Sequence, residues 1–92
     1  MEHIHYSEFE AAARAAGFDE VLERHRAPLT VLGTHEHPFA VQARVVAGEM
    51  WLTPGESTRH LRSGDRFTLQ RDKPHAELYG EVGATFWVAR RN

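Results

Sequence analysis

Histidine is the residue through which this chain can do chemistry. Seven of its 92 residues are histidine and none is cysteine. The missing cysteine removes disulfides, thiolate nucleophiles and thiolate-ligated zinc or iron–sulfur centres. A metal site here must therefore be built from imidazole and oxygen. His35 and His37 flank Glu36 in a stretch that reads as extended backbone. Residues two apart on a strand share a face, with Cα atoms roughly 7 Å apart. Two imidazoles so placed can converge on one ion at about 2.1 Å per bond. Thr34 before them and Pro38-Phe39 after them suggest a strand margin that solvent can reach. Farther along, Pro74 fixes its own φ and holds Lys73 extended, which gives a rigid lead into the strand that begins at His75.

The other histidines read differently. His25, among Glu23, Arg24 and Arg26, reads as surface, and His60, in a polar run with Arg59 and Arg62, as solvent-facing. His3 offers a separate chemistry. A free amine, two deprotonated amides and an imidazole at position three make a four-nitrogen plane suited to Cu(II) or Ni(II), although a histidine at that position easily arises by chance.

The elements that must position these groups can be read from local signals. Ser7-Glu8-Phe9-Glu10 has the pattern of a capping box, with Ser7 as N-cap and Glu10 reaching back. Strong helix formers follow to Ala16, and Gly17 suits a left-handed stop. A helix over about 7–16 is expected, its thin apolar stripe laid against the domain. After it come seven or eight short strands, punctuated at Ala47-Gly48, Pro54-Gly55, Ser63-Gly64-Asp65, Pro74 and Gly80. Regular short strands of this kind predict an antiparallel all-β sandwich or barrel over about 18–90. No linker, repeat or low-complexity stretch divides the chain, so residues 1–92 are expected to form one domain.

Composition narrows the function classes. Apolar residues make up 41% and charged residues 26%, with a net charge of −2 and a pI near 6.4; this is ordinary globular composition, well away from disorder. The one basic cluster, Arg90-Arg91, lies at the C-terminus, so neither a nucleic-acid nor a membrane partner is expected. No apolar run approaches the ~18 residues of a membrane span. Met1 to His5 lacks the charged-then-apolar plan of a signal peptide, and a cytoplasmic location is the expectation. A chain of this size buries only about 60–65% of the surface that its unfolded state exposes. That modest core favours self-association, and a homodimer that covers a first or last strand would protect an otherwise open edge.

With those residues in view, a family resemblance becomes specific. His35-Glu36-His37-Pro38-Phe39 with Gly48-Glu49 resembles the first motif of the cupins, and Gly64-Asp65-Arg66-Phe67 with Pro74-His75 resembles the second. The offsets agree, with eleven positions from His37 to Gly48 and eleven from Gly64 to His75. The segment between the motifs, Glu49 to Ser63, has the minimum length typical of bacterial cupins. The resemblance spans residues 29 to 89 and implies a jelly-roll barrel. It also implies a divalent transition metal (Fe, Mn, Ni, Co, Cu or Zn) held by His35, His37 and His75.

The chain departs from the family pattern at several positions. The glutamate that the family uses as a fourth ligand falls on Val41, and Gln42 beside it has the opposite strand parity. The second motif's usual proline, glycine and late asparagine fall on Gln70, Asp72 and Tyr79. Three neutral imidazoles would leave the ion's full +2 charge uncompensated, with open positions for water or for a bidentate anion such as a carboxylate or enolate. Glu77 and Tyr79 share the parity of His75 and would face the same interior. Glu77 is thus a candidate to replace the missing carboxylate, as a ligand or as a base, unless it is a solvated carboxylate near Arg44 or Arg66. Val41, Ala43 and Val45 share a parity and would form a small apolar wall, and Trp51 and Phe39 could flank the mouth. The resemblance implies a small anionic molecule as ligand. Iron dioxygenases, isomerases, epimerases and lyases all use this barrel, as do the sensory halves of AraC-type regulators. The chain has no helix-turn-helix segment of its own, so as a sensory module it would bind a ligand without binding DNA.

Overall fold

The computed structural model describes residues 4–92, so His3 and its four-nitrogen site lie outside the described residues. A helix α1 (Tyr6–Ala15) is followed by six strands: β1 (Glu20–Arg26), β2 (Val31–His35), β3 (Ala40–Pro54), β4 (Arg59–Arg62), β5 (Arg66–Leu69) and β6 (His75–Arg91). All pairings are antiparallel. The two long strands, β3 and β6, pair with each other from Ala40 opposite Arg91 to Pro54 opposite His75. Their outer halves collect different neighbours. β1 joins the C-terminal half of β6 and β5 the N-terminal half of β3. β2 joins the N-terminal half of β6 and β4 the C-terminal half of β3. The result is two four-stranded layers that share two bent strands, an antiparallel all-β jelly roll with one short helix.

The bends explain why the strands are fewer and longer than their punctuation suggests. Val41–Val46 and Met50–Thr53 are one strand, as are Ala76–Tyr79 and Ala84–Ala89. Gly48 and Gly83, with φ of +74° and +73°, kink the backbone without ending it, and the β3–β6 register shifts on either side of Ala47 and Gly48. These are bulges that turn a strand from one layer into the other. A Cβ on Gly48 would lie 2.1 Å from the Gly83 carbonyl oxygen, and one on Gly83 would lie 2.3 Å from the Arg26 carbonyl oxygen. Both a positive φ and a bare backbone face are therefore needed there.

Between the layers, the same-parity residues Val41, Ala43 and Val45 are buried with Met50, Leu52, Leu61, Phe67, Leu69, Tyr79, Phe86 and Val88. A second cluster sits on the outside of β6, where Phe9 and Ala13 of α1 cover Trp87 and Ala89. Tyr6 meets the Trp87 ring edge-on at 5.6 Å, and the indole N–H donates to Glu23 at 3.1 Å. The helix lies against the barrel as its thin stripe predicts, but it starts earlier than Ser7. His5 is the N-cap, and its N–H donates to the Glu8 carboxylate at 3.3 Å. Glu10 pairs instead with Arg14 one turn on, because with the cap at His5 the third helical position is Glu8. Gly17 stops the helix in the left-handed region as expected. Among the described residues no helix is long and apolar enough to cross a membrane.

Replacing Gly48 with alanine should cost at least ~2 kcal/mol, since it adds a left-handed alanine to a backbone clash. For a chain of this size that lowers the Tm by roughly 8–16 °C. Gly33→Ala, with nothing within 4 Å of the added methyl, should change the Tm little. Thermal unfolding of the two variants checks both.

Candidate metal centre

Strand register builds the site. In an antiparallel pair, opposed residues share a face, and His35 at the end of β2 stands opposite His75 at the start of β6. Their rings are 4.3 Å apart. His37 lies beyond the end of β2, in the link to β3, and its ring is 5.0 Å from His35 and 5.1 Å from His75. The three histidines bring one nitrogen each to within 4.8 Å of one another. The β6 positions facing the same interior follow in order, with His75 2% exposed, the Glu77 side chain 10% and Tyr79 1%.

Backbone carbonyls fix which nitrogens face inward. His35 Nδ1 lies 2.7 Å from the Gly33 carbonyl oxygen and His75 Nδ1 lies 2.9 Å from that of Lys73. A carbonyl oxygen only accepts, so in each ring Nδ1 carries a proton, and Nε2 is the nitrogen turned to the centre. Glu77 Oε2 lies 3.1 Å from His35 Nε2 and 3.5 Å from His75 Nε2. The two Nε2 atoms and a carboxylate oxygen thus converge on one point. The other Glu77 oxygen accepts the Tyr79 hydroxyl.

The pKa shifts fit that crowding. Burial, and then the neighbouring imidazoles of His75 and His35, push the His37 pKa below its usual value; Glu77 pulls the other way, while Arg90 adds to the depression. Burial and the hydrogen bond to Glu77 push the Tyr79 pKa up, with Arg26 opposing them in part. At neutral pH His37 therefore stays a free base and Tyr79 stays a phenol. Around these groups is a cavity of about 150 Å³, whose lining includes His37, His75, Glu77, Val41, Phe67 and Phe86, and also Arg24, Arg26 and Arg90.

Val41, at the family's carboxylate position, is buried, and Glu77 from β6 reaches the imidazoles instead. Glu77 does not meet Arg44 or Arg66, which oppose each other across β3 and β5. Phe39 stacks on His37 at 4.9 Å, but Trp51 is absent from the cavity lining. It stacks instead on His60 at 4.4 Å. His60 is less free than its polar surroundings suggest, since its Nε2 also meets Glu49 at 2.8 Å. His25 is exposed, near Thr85 and Glu23. The three arginines were not legible as site residues. Their one sequence signal is that Arg24 and Arg26 share the parity of apolar Leu22.

By sequence, no protein-family model and no curated protein matches the chain. By structure, it is similar to the DMSP lyase DddQ from Ruegeria pomeroyi, with a TM-score of 0.71 and 22% identity over 78% of this chain and 37% of that one. An RmlC-like cupin from Shewanella frigidimarina gives 0.68 and 17% over 78% and 65% of the two chains. Oxalate decarboxylase from Bacillus subtilis, described with Mn(II) centres, gives 0.71 and 21% over 78% and 20%. The chain thus spans less than two thirds of each of these structures. It has the cupin fold, with a cluster of three histidines that could hold a metal ion.

The lowered His37 pKa has a consequence for the metal-free chain. Below about pH 6.5 the unfolded His37 takes up a proton that the folded one resists, so folding stability should fall as pH drops from about 6.5 through the folded-state pKa. Urea unfolding of metal-free protein at pH 7.5 and 5.0 should show a smaller loss for His37→Gln than for the wild type.

Proposed function

We propose that this cupin binds a divalent transition metal through His35, His37 and His75 and acts on a small anionic molecule beside it. The observation that carries this is the convergence of one nitrogen each from His35, His37 and His75, within 4.8 Å of one another and beside the Glu77 carboxylate, a donor set suited to a divalent cation. The donor set fits such an ion. Two Zn–N bonds of about 2.1 Å at the tetrahedral angle place their nitrogens ~3.4 Å apart, so binding would draw the three rings in from their present spread of up to 4.8 Å. When bound, the metal would supply a Lewis acid with open positions for an oxygen ligand.

The chain's own residues supply the rest. The Gly33 and Lys73 carbonyls orient two of the imidazoles. Glu77, facing both the donors and Tyr79, is placed to take a proton from a ligand in the cavity. Tyr79 holds that carboxylate in position by its hydroxyl. A carboxylate–phenol pair at the centre favours an enzyme that moves a proton over a module that only senses its ligand.

A second copy of the chain is the partner we propose for the outer face of β2 and β6. Val31 and Leu78 oppose each other there and are 69% and 44% exposed, and Trp51 lies opposite Leu78 on the far side of β6. Val31→Lys should convert the dimer to a monomer in light scattering while leaving metal content unchanged.

Metal titration tests the main proposal. The wild type should take up one equivalent of Mn, Fe or Co, and His75→Ala should abolish loading. His3→Ala and His60→Ala should each keep one tight site. Glu77→Gln should weaken affinity by ~10–100-fold, and wild-type affinity should fall as pH drops through about 6.5, since the imidazoles must be unprotonated. A wild type that cannot be loaded above about a tenth of an equivalent, or whose affinity stays flat from about pH 5 to 8, would sink the proposal.

A further inference from the structure

The cavity beside the histidines has a second set of charged groups on its wall. Arg24 and Arg26 stand opposite Phe86 and Ala84 on β6, and those two residues are buried in the core. The two arginines therefore point into the barrel, in line with Leu22, which opposes the core residue Val88. Arg90 stands opposite Val41 on the same inner face. Its guanidinium covers Phe39 at 4.6 Å, and Phe39 in turn stacks on His37. All three arginines line the cavity that His37, His75 and Glu77 line.

Their charge is poorly matched within the chain. Among the described residues, Arg90 has one carboxylate partner, Glu20 at 3.8 Å on the exposed side. Arg24 and Arg26 form no ion pair with the carboxylates of the described residues. Three guanidiniums against the carboxylates of Glu77 and Glu20 leave the group at +1, before any imidazole or ion is counted. The Nε atoms of Arg26 and Arg90 are buried without a hydrogen-bond partner. Buried donors of this kind are costly unless an acceptor meets them. One inward charge on an edge strand serves to deter pairing with another chain; three charges from two strands converging on one cavity do something more.

We infer that Arg24, Arg26 and Arg90 form an anion subsite that holds a carboxylate of the ligand, while the ligand's other oxygen group faces the histidine centre. This rests on the metal-centred proposal above and names the substrate class for it, a small dicarboxylate. Guanidinium forks match the planar carboxylate in geometry as well as in charge. A cavity of about 150 Å³ holds the volume of roughly five waters, which limits the ligand to a compact one. The apolar floor of Val41, Leu69 and Val88 suits a short carbon chain between its two ends.

Calorimetric titration of malonate into manganese-loaded and metal-free protein tests the subsite, with propionate and inorganic phosphate as the other probes. Malonate should bind the loaded wild type at least tenfold more tightly than propionate does. Arg26→Gln and Arg24→Gln should each lose at least tenfold in malonate affinity, with manganese stoichiometry and Tm held near wild type. Arg26→Lys, which keeps the charge and loses the fork, should recover only part of that loss. Variants that bind malonate within twofold of wild type, or a wild type that does not bind it at millimolar concentration, overturn the inference. Phosphate binding more tightly than malonate overturns the assignment to a carboxylate. Should manganese fail to load, arginine-dependent malonate binding by the metal-free chain would still uphold the subsite, so the two proposals fail separately.

Discussion

Everything in this barrel hangs on one close contact between backbones. At Gly48 and Gly83 the two longest strands bend together, and neither position has room for a side chain. The shared bend lets β3 and β6 belong to both layers at once, so a short chain closes a barrel with only six strands. It also divides β6 into two functional stretches. Before the bend, His75, Glu77 and Tyr79 face the interior; after it, parity shifts and Ala84, Phe86 and Val88 do so. The first stretch meets β2, which brings His35. The second meets β1, which brings Arg24 and Arg26.

The site that results concentrates unlike charges in a small space. On one side three imidazole nitrogens and a carboxylate converge, a donor set that suits a divalent cation. On the other, guanidiniums line the wall, an arrangement that favours an anion. Tyr79 lies between them, donating to Glu77 while Arg26 acts on it from the arginine side. Its pKa is pushed up first by burial and then by Glu77, with Arg26 opposing both. A ligand with two oxygen groups would satisfy both sides of the cavity together, which links the cation and the anion in one binding event.

Much of this arrangement could be read from residue order. Period-two parity placed Val41, Ala43 and Val45 on the inner face, and it aligned Glu77 and Tyr79 with His75. Pro74-His75 and the two glycine-spaced motifs were enough to suggest the cupin barrel. Strand number was harder to read, because a glycine that bends a strand and one that ends it look alike until their partners are known. The helix start was missed because Ser7-x-x-Glu10 and His5-x-x-Glu8 are competing caps two residues apart, and the structure uses the second. The inward arginines were the deepest omission. β1 carries polar residues on both faces, so alternation alone does not say which face is buried, and only its register against Phe86 and Val88 does.

The most direct test of the central claim is a crystal structure of the metal-loaded protein with anomalous scattering recorded at the absorption edge of the loaded ion. A single strong peak within about 2.3 Å of one nitrogen each from His35, His37 and His75 is the expected result, with Glu77 either bonded to it or one water away. A peak at the N-terminal amine and His3, at His25, or between His60 and Glu49, with none among the three barrel histidines, would contradict it.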